Sequence, residues 1–110
     1  METIKSSGDI SDLFSHGKRL HTPYLTFIAS PTKQHGPHGR VAFIAGKKLG
    51  NAVWRNAAKR RMRAVCHELG GPWEGFDVIF LAKSGVCRAS YSKVLAVCSD
   101  TLKQGGIRRG

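Results

Sequence analysis

The sequence is poor in acidic residues, and one half of the chain has almost none. Its 110 residues include 18 Lys and Arg but 7 Asp and Glu, which gives a net charge of +11. No acid lies between Asp12 and Glu68, although eleven basic residues do. A protein that needed charge only for solubility would intersperse both signs, so this concentration favours a partner with many phosphates.

Long apolar runs and paired cysteines are also missing. No stretch approaches the roughly 20 apolar residues of a membrane-spanning helix, and no signal-peptide run is present, so we expect a cytoplasmic protein without a membrane partner. Cys66, Cys87 and Cys98 form an odd set without CxxC spacing, which favours reduced, mostly buried thiols. His35 and His38 have no further ligand nearby, so we predict a polar loop and no bound metal.

Helical and strand periodicities predict a single domain over residues 1–110, with flexible tails at 1–8 and 105–110. A first short helix is predicted up to Gly17 with Asp9 as its N-cap, and longer helices over 51–69 and 90–104. Alternation predicts a strand over 24–30, with a shorter edge strand before it, and an antiparallel hairpin pairing 24–30 with 40–46. Residues 76–82 are apolar enough for a central strand. The fold class is therefore α+β, with helices packed on a sheet in two layers.

The segment 51–69 has two chemically different faces when it is drawn as a helix at about 100° per residue. The face predicted to pack on the sheet carries Trp54, Ala58, Met62, Val65 and Leu69. The other face is cationic, and its like charges at i, i+4 destabilise an isolated helix without an acid to offset them. This penalty indicates a face that binds an anionic partner. Just before it, Lys47 and Lys48 add cations at a helix N-terminus, where the helix dipole favours phosphate.

The run KKLGNAVWRNAAKRRMR at 47–63 resembles the signature helix of the protein subunit of bacterial ribonuclease P. Residues 14–17, 75–78 and 91–102 resemble other parts of that family, so the resemblance covers roughly 10–104. It implies an αβββαβα order, a mixed sheet and a left-handed crossover at the second helix. That handedness is an exception to the usual rule.

The resemblance also implies a function in tRNA maturation. In this family a small protein assists a catalytic RNA that uses metal ions to remove the 5′ leader of precursor tRNA. The implied partners are therefore the catalytic RNA and precursor tRNA, with no obligate protein partner. Mg²⁺ is expected in the ribonucleoprotein, with no cofactor on the protein alone and no catalytic residue in the chain.

Two sets of site residues follow from the resemblance. The single-stranded leader is expected in a cleft between the sheet and the first helix, at Phe14, Thr26 and Ile28. The residues expected to bind the catalytic RNA are Lys47, Lys48, Arg55, Asn56, Lys59, Arg60 and Arg63.

The chain departs from the family pattern at two places. Ala57 stands where the family usually has an arginine, and Arg61, one turn further on, is a candidate substitute. Thr26 and Ile28 lie on the strand face where the family often has an aromatic residue, which predicts weaker stacking of the leader.

Two other function classes compete with this interpretation. A structural RNA-binding protein, such as a ribosomal component, would account for the charge but not for the KKLGNAV run. A stand-alone nuclease is disfavoured, because the basic segment has no carboxylates to hold the metal ions of phosphodiester hydrolysis.

Overall fold

The computed structural model describes residues 2–32 and 38–108 of the chain. The order of elements confirms the predicted α+β fold and its αβββαβα sequence of helices and strands. Short 3₁₀ helices at Lys47–Leu49 and Ser84–Cys87 were not predicted. The helices are α1 (Ser7–His16), α2 (Ala52–Glu68) and α3 (Tyr91–Gln104), and the strands are β1 (Lys18–His21), β2 (Leu25–Pro31), β3 (Arg40–Ile44) and β4 (Phe76–Ala82).

Each helix begins at a polar cap. The Asn51 side chain accepts a hydrogen bond from the Trp54 amide at 2.9 Å and starts α2, and Ser90 caps α3. Ser6, and not Asp9 as expected, caps α1, because its hydroxyl accepts a hydrogen bond from the Asp9 amide at 3.3 Å. Asp9 lies in the first turn, where the positive end of the helix dipole still favours its charge.

The sheet is mixed, with the strand order β1-β2-β4-β3. β2 pairs antiparallel with β1 and β4, and β3 pairs parallel with β4. The predicted hairpin of β2 with β3 is therefore wrong, since β4 lies between them. β4 takes the central position because Val78, Ile79 and Phe80 are fully buried on both of its faces. Helix α2 makes the crossover from β3 to β4, and its left-handed sense stays a prediction.

Helices cover both faces of the sheet, so the expected two layers become three. Helices α2 and α3 pack on the larger core, where the Phe80 ring lies 4.9 Å from the Phe27 ring in an edge-to-face contact. Helix α1 packs on the opposite face, where Leu13 joins Ile28 and Ile79 in a second cluster. The fold class stands, and α1 adds a partial third layer.

The described parts of both termini contact the rest of the fold, and the flexibility expected at 1–8 and 105–110 stays a prediction. The Ile4 amide donates to the Val41 carbonyl at 2.8 Å, and the Ile4 side chain is buried. At the other end Ile107 is 7% exposed and belongs to the larger core. Arg108 donates to the Leu69 carbonyl at 3.2 Å.

The cysteines are free, as predicted. Burial raises the pKa of Cys66 and of Cys98 to about 12, so both are unreactive thiols. His35, in the predicted polar loop, lies outside the described residues. Among the residues that are described, no helix is long and apolar enough to cross a membrane, and no three His, Cys, Asp or Glu side chains are grouped to hold a metal ion.

Candidate nucleic-acid interface

Helix α2 is oriented by its apolar face. Ala58, Met62 and Val65 are fully buried against the sheet, and Leu69 is nearly so. Trp54 is half-buried at the start of this stripe. Burying this stripe points the opposite side of the helix away from the sheet. The predicted core-facing side of α2 is thus confirmed.

The outward side of α2 and the preceding turn form one charged surface, here called the cationic face. Asn56, Arg60 and Arg63 are exposed, whereas Arg55 and Lys59 are half-buried. Lys and Arg stems commonly lie along apolar surface while their charges reach solvent. The structure thus brings all seven predicted residues to this region, whose members are Lys47, Lys48, Arg55, Asn56, Lys59, Arg60 and Arg63.

Lys47 and Lys48 are placed by the 3₁₀ helix that leads into α2. Both side chains are exposed. Gly50 lets the chain turn closely against the helix, because a Cβ atom at this position would lie 3.0 Å from the Trp54 Cβ and Cγ atoms. A larger residue at 50 would therefore push this turn away from the helix.

The charges of the cationic face have no carboxylate partner in the described chain. The salt bridges between described residues join Arg40 to Asp9 and Asp77, away from α2. Arg63 lies over the Phe43 ring, with its guanidinium carbon 5.2 Å from the ring centre. The face is therefore a concentrated positive field held on a rigid helix.

Arg61, the candidate substitute for the arginine that is missing at position 57, has its partners within the fold. Its guanidinium donates hydrogen bonds to the carbonyls of Val86 and Ala89. It also lies over the Tyr91 ring at 6.0 Å from the ring centre. These contacts attach α2 to the loop before α3, and partial substitution by Arg61 for the family's arginine stays a prediction.

A second surface lies beside α1 on the sheet. Strand register places His21, Thr26, Leu81 and Ile44 in one row across all four strands. The neighbouring row, which contains Ile28 and Ile79, lies under α1. Ile44, Leu81 and Phe14 are half-buried at the margin of this cluster, and His21 is exposed. We call this groove the α1 cleft, formed by Phe14, His21, Thr26, Ile44 and Leu81.

The three predicted leader-binding residues have different positions in this cleft. Phe14 lies at its wall, half-buried. Thr26 is on its floor and is 4% exposed, with its hydroxyl 3.2 Å from His21 Nδ1. Ile28 is fully buried beneath α1, and its predicted contact with a leader stays a prediction.

His21, and Arg19 at the margin of the cleft, were not predicted from the sequence as site residues. Arg19 donates to the Phe14 carbonyl at 3.0 Å, and its guanidinium carbon lies 5.7 Å from the centre of the Phe14 ring. Alternation along the short edge strand puts Arg19 and His21 on one face, which is a signal present in the sequence. Their register against β2, which brings them to the cleft, cannot be predicted from the sequence.

The other flank of α1 is acidic. A pocket of about 460 Å³ opens there, at the far end of β2 from Thr26. Charge therefore differs sharply between the two sides of α1. The pocket is lined by Asp9, Asp12, Leu13, His16, Ser30, Pro31 and Asp77.

The fold and the cationic face define a small, basic α+β protein that presents one cationic helix on its surface. A family model described as Ribonuclease P matches residues 1–105. The ribonuclease P protein component of Streptococcus mutans is 38% identical over 112 residues, covering 96% of this chain and 92% of that protein. The corresponding protein of Streptococcus agalactiae is 32% identical and covers 94% of each. The chain therefore belongs to the ribonuclease P protein family, which confirms the resemblance.

Solved structures show the same fold. The RNase P protein of Staphylococcus aureus superposes with a TM-score of 0.83 at 22% identity, over 99% of both chains. The protein from Thermotoga maritima gives 0.79 at 22% identity, over 94% of this chain and 97% of that one. At this identity the likeness concerns the fold, and the family assignment rests on the sequence matches.

Proposed function

We propose that this chain binds the catalytic RNA of ribonuclease P through its cationic face and the 5′ leader of precursor tRNA in its α1 cleft. In doing so it promotes endonucleolytic removal of the leader. The observation that carries this proposal is the cationic face, whose six Lys and Arg side chains share one surface without a carboxylate partner among the described residues.

Electrostatics supports an RNA, with its many backbone phosphates, as the partner of this face. Neutralising phosphates with Lys and Arg releases condensed counterions, which is the main driving force of such binding. Arg55 provides a further indication of an anionic partner, because its Nε is buried without a hydrogen-bond partner in the described chain. Unsatisfied donors of this kind are rare in folded proteins, and a phosphate oxygen is an acceptor that would satisfy this N–H.

The α1 cleft fits a single strand better than a duplex. It combines half-buried apolar side chains with an aromatic ring and has Arg19 at its margin. Unpaired bases stack on such rings while neighbouring cations contact the backbone. A base-paired stem keeps its bases inside and offers no such surface.

In this proposal cleavage belongs to the RNA, and the protein supplies no catalytic group. Asp9 and Asp77, on the other flank of α1, are engaged by Arg40. Mg²⁺ would act in the ribonucleoprotein, where the RNA supplies phosphate ligands. Cytoplasmic action on tRNA precursors is part of the same proposal.

Reconstitution tests the proposal. The protein is added to its cognate catalytic RNA at low Mg²⁺ concentration, and leader removal from precursor tRNA is followed. We expect the wild-type protein to promote cleavage and Arg60→Glu to lose most of this effect. Lys103→Glu makes the same charge change at an exposed site on α3, outside the cationic face, and should remain active. No stimulation by the wild-type protein, or equal loss in both variants, would contradict the proposal.

A further inference from the structure

Helix α1 separates two open flanks with different side chains on one sheet face. Thr26 and Ser30 lie two residues to either side of Ile28, the β2 residue that α1 covers. The Ser30 flank carries the carboxylates of the acidic pocket, whereas the Thr26 flank is the α1 cleft with Arg19 at its margin. An RNA strand carries a phosphate at every nucleotide, so the Thr26 flank, with the Arg19 guanidinium at its margin, is the more favourable side for it.

Two rings face the α1 cleft, but they are not equally available. One side of the Phe14 ring is covered by the Arg19 guanidinium, and the ring is half-buried against the core. His21 is exposed on the edge strand β1. The imidazole of His21 is therefore the open aromatic surface of this cleft.

The His21 ring is also held in place. Its Nδ1 lies within hydrogen-bond distance of the Thr26 hydroxyl, at 3.2 Å. Thr26 is its direct cross-strand partner and is almost completely buried, so it is a rigid anchor. A ring that is fixed before binding loses less conformational entropy when a ligand stacks on it.

From this arrangement we infer that His21 stacks on a nucleobase of the single-stranded leader and sets the affinity of the α1 cleft for it. The inference rests on the proposed function. The imidazole supplies an aromatic surface on the same face where Ile28 offers only a buried aliphatic chain. Stacking uses the flat face that every base has, so the contact tolerates all four bases.

The test uses the reconstituted holoenzyme and measures the Kd for precursor tRNA and for tRNA that lacks a leader. His21→Ala should weaken binding of the precursor by roughly 5- to 150-fold and leave leaderless tRNA unchanged. His21→Phe keeps a ring and should stay within about threefold of wild type, whereas His21→Lys supplies a cation without a ring and should show the loss. Thermal melts check that each variant is folded.

His16→Ala provides the matched control, because His16 is also exposed but lies on the acidic flank. It should leave both Kd values unchanged. Precursors with abasic leader positions give a second readout. One such position should weaken wild-type binding but have no further effect on His21→Ala.

Two results would overturn the inference while leaving the proposed function intact. One is unchanged precursor binding by His21→Ala in a holoenzyme that still removes the leader. The other is rescue by lysine and not by phenylalanine, which would assign a phosphate contact. If the wild-type protein does not promote leader removal, the proposed function fails, and this inference fails with it.

Discussion

Arg40 and Asp77 are direct partners across β3 and β4, and their Nη2 and Oδ2 atoms lie 2.7 Å apart. Arg40 Nη1 also lies 3.1 Å from Asp9 Oδ2, so the same guanidinium joins both strands to α1. The Asp77 side chain is 3% exposed. Arg40 is one of the eleven cations in the acid-free interval, but its charge is used inside the fold.

Arg40→Met should destabilise the protein by about 3–5 kcal/mol, because it leaves the Asp77 carboxylate buried without its charge partner. Chemical denaturation measures the loss. Arg88→Met removes an exposed cation of the same size and should change stability little. Similar losses in both variants would show that the ion pairs of Arg40 with Asp9 and Asp77 stabilise the fold no more than an exposed cation does.

Stability should fall in acid as Asp77 takes up a proton. Burial alone would raise the pKa of Asp77, but hydrogen bonds from Arg40 and Thr32 and the charge of Arg40 hold it below its ordinary value of 3.8. The folded state therefore binds this proton less readily than the unfolded chain. The resulting stabilisation is fully present above about pH 4 and is lost as pH falls through the lower pKa of the folded state.

Melting temperatures measured from pH 7 to pH 2 would show this dependence. Asp77→Asn should be less stable at neutral pH and should lose less stability than wild type below pH 4. The other carboxylates contribute to both proteins, so the difference between the two curves is the informative quantity. Parallel curves would contradict the role given to Asp77.

Helix α2 was predictable because its signals are local. Asn51 and Gly70 mark its ends, and the apolar stripe from Ala58 to Leu69 fixes its orientation. Local periodicity therefore placed the cationic face correctly. The prediction of a hairpin between β2 and β3 was wrong because strand order depends on contacts between distant segments. Strand β4, which lies between them, begins 32 residues after β3 ends.

The α1 cleft was predictable only in part. Alternation correctly put Thr26 and Ile28 on the same side of β2, but periodicity does not say where α1 crosses that side. The crossing buries Ile28 and leaves the row of His21 and Leu81 at the margin. A shift of two residues along the strand therefore moves a position from the margin of α1 to the core beneath it.

The C-terminal segment should contribute to stability. Ile107 is 7% exposed in the larger core, and its amide donates to the Leu102 carbonyl at 3.0 Å. Ile107→Ala should therefore cost about 2–4 kcal/mol in chemical denaturation. Lys103→Ala, at an exposed site nearby, should be nearly neutral. A neutral Ile107→Ala would support the expectation of a free tail.

Affinity for the catalytic RNA should depend steeply on salt. If the cationic face and its surroundings neutralise 6–10 phosphates, affinity falls by roughly 10³–10⁵ between about 50 and 200 mM salt. Filter binding or fluorescence anisotropy over this range measures the slope. A flat response would mean that phosphate contacts do not dominate binding.

Arg60 and Arg61 are neighbours on α2 with different partners, so they form a matched pair. Arg60 is exposed on the cationic face, and Arg60→Ala should lower RNA affinity and reduce the salt slope by about 1 with little change in melting temperature. Arg61 donates to the Val86 and Ala89 carbonyls, and Arg61→Ala should cost about 1–3 kcal/mol of stability. The RNA affinity of the Arg61→Ala variant, measured below its melting temperature, should remain near that of the wild type. The reverse pattern would mean that α2 is rotated relative to the RNA.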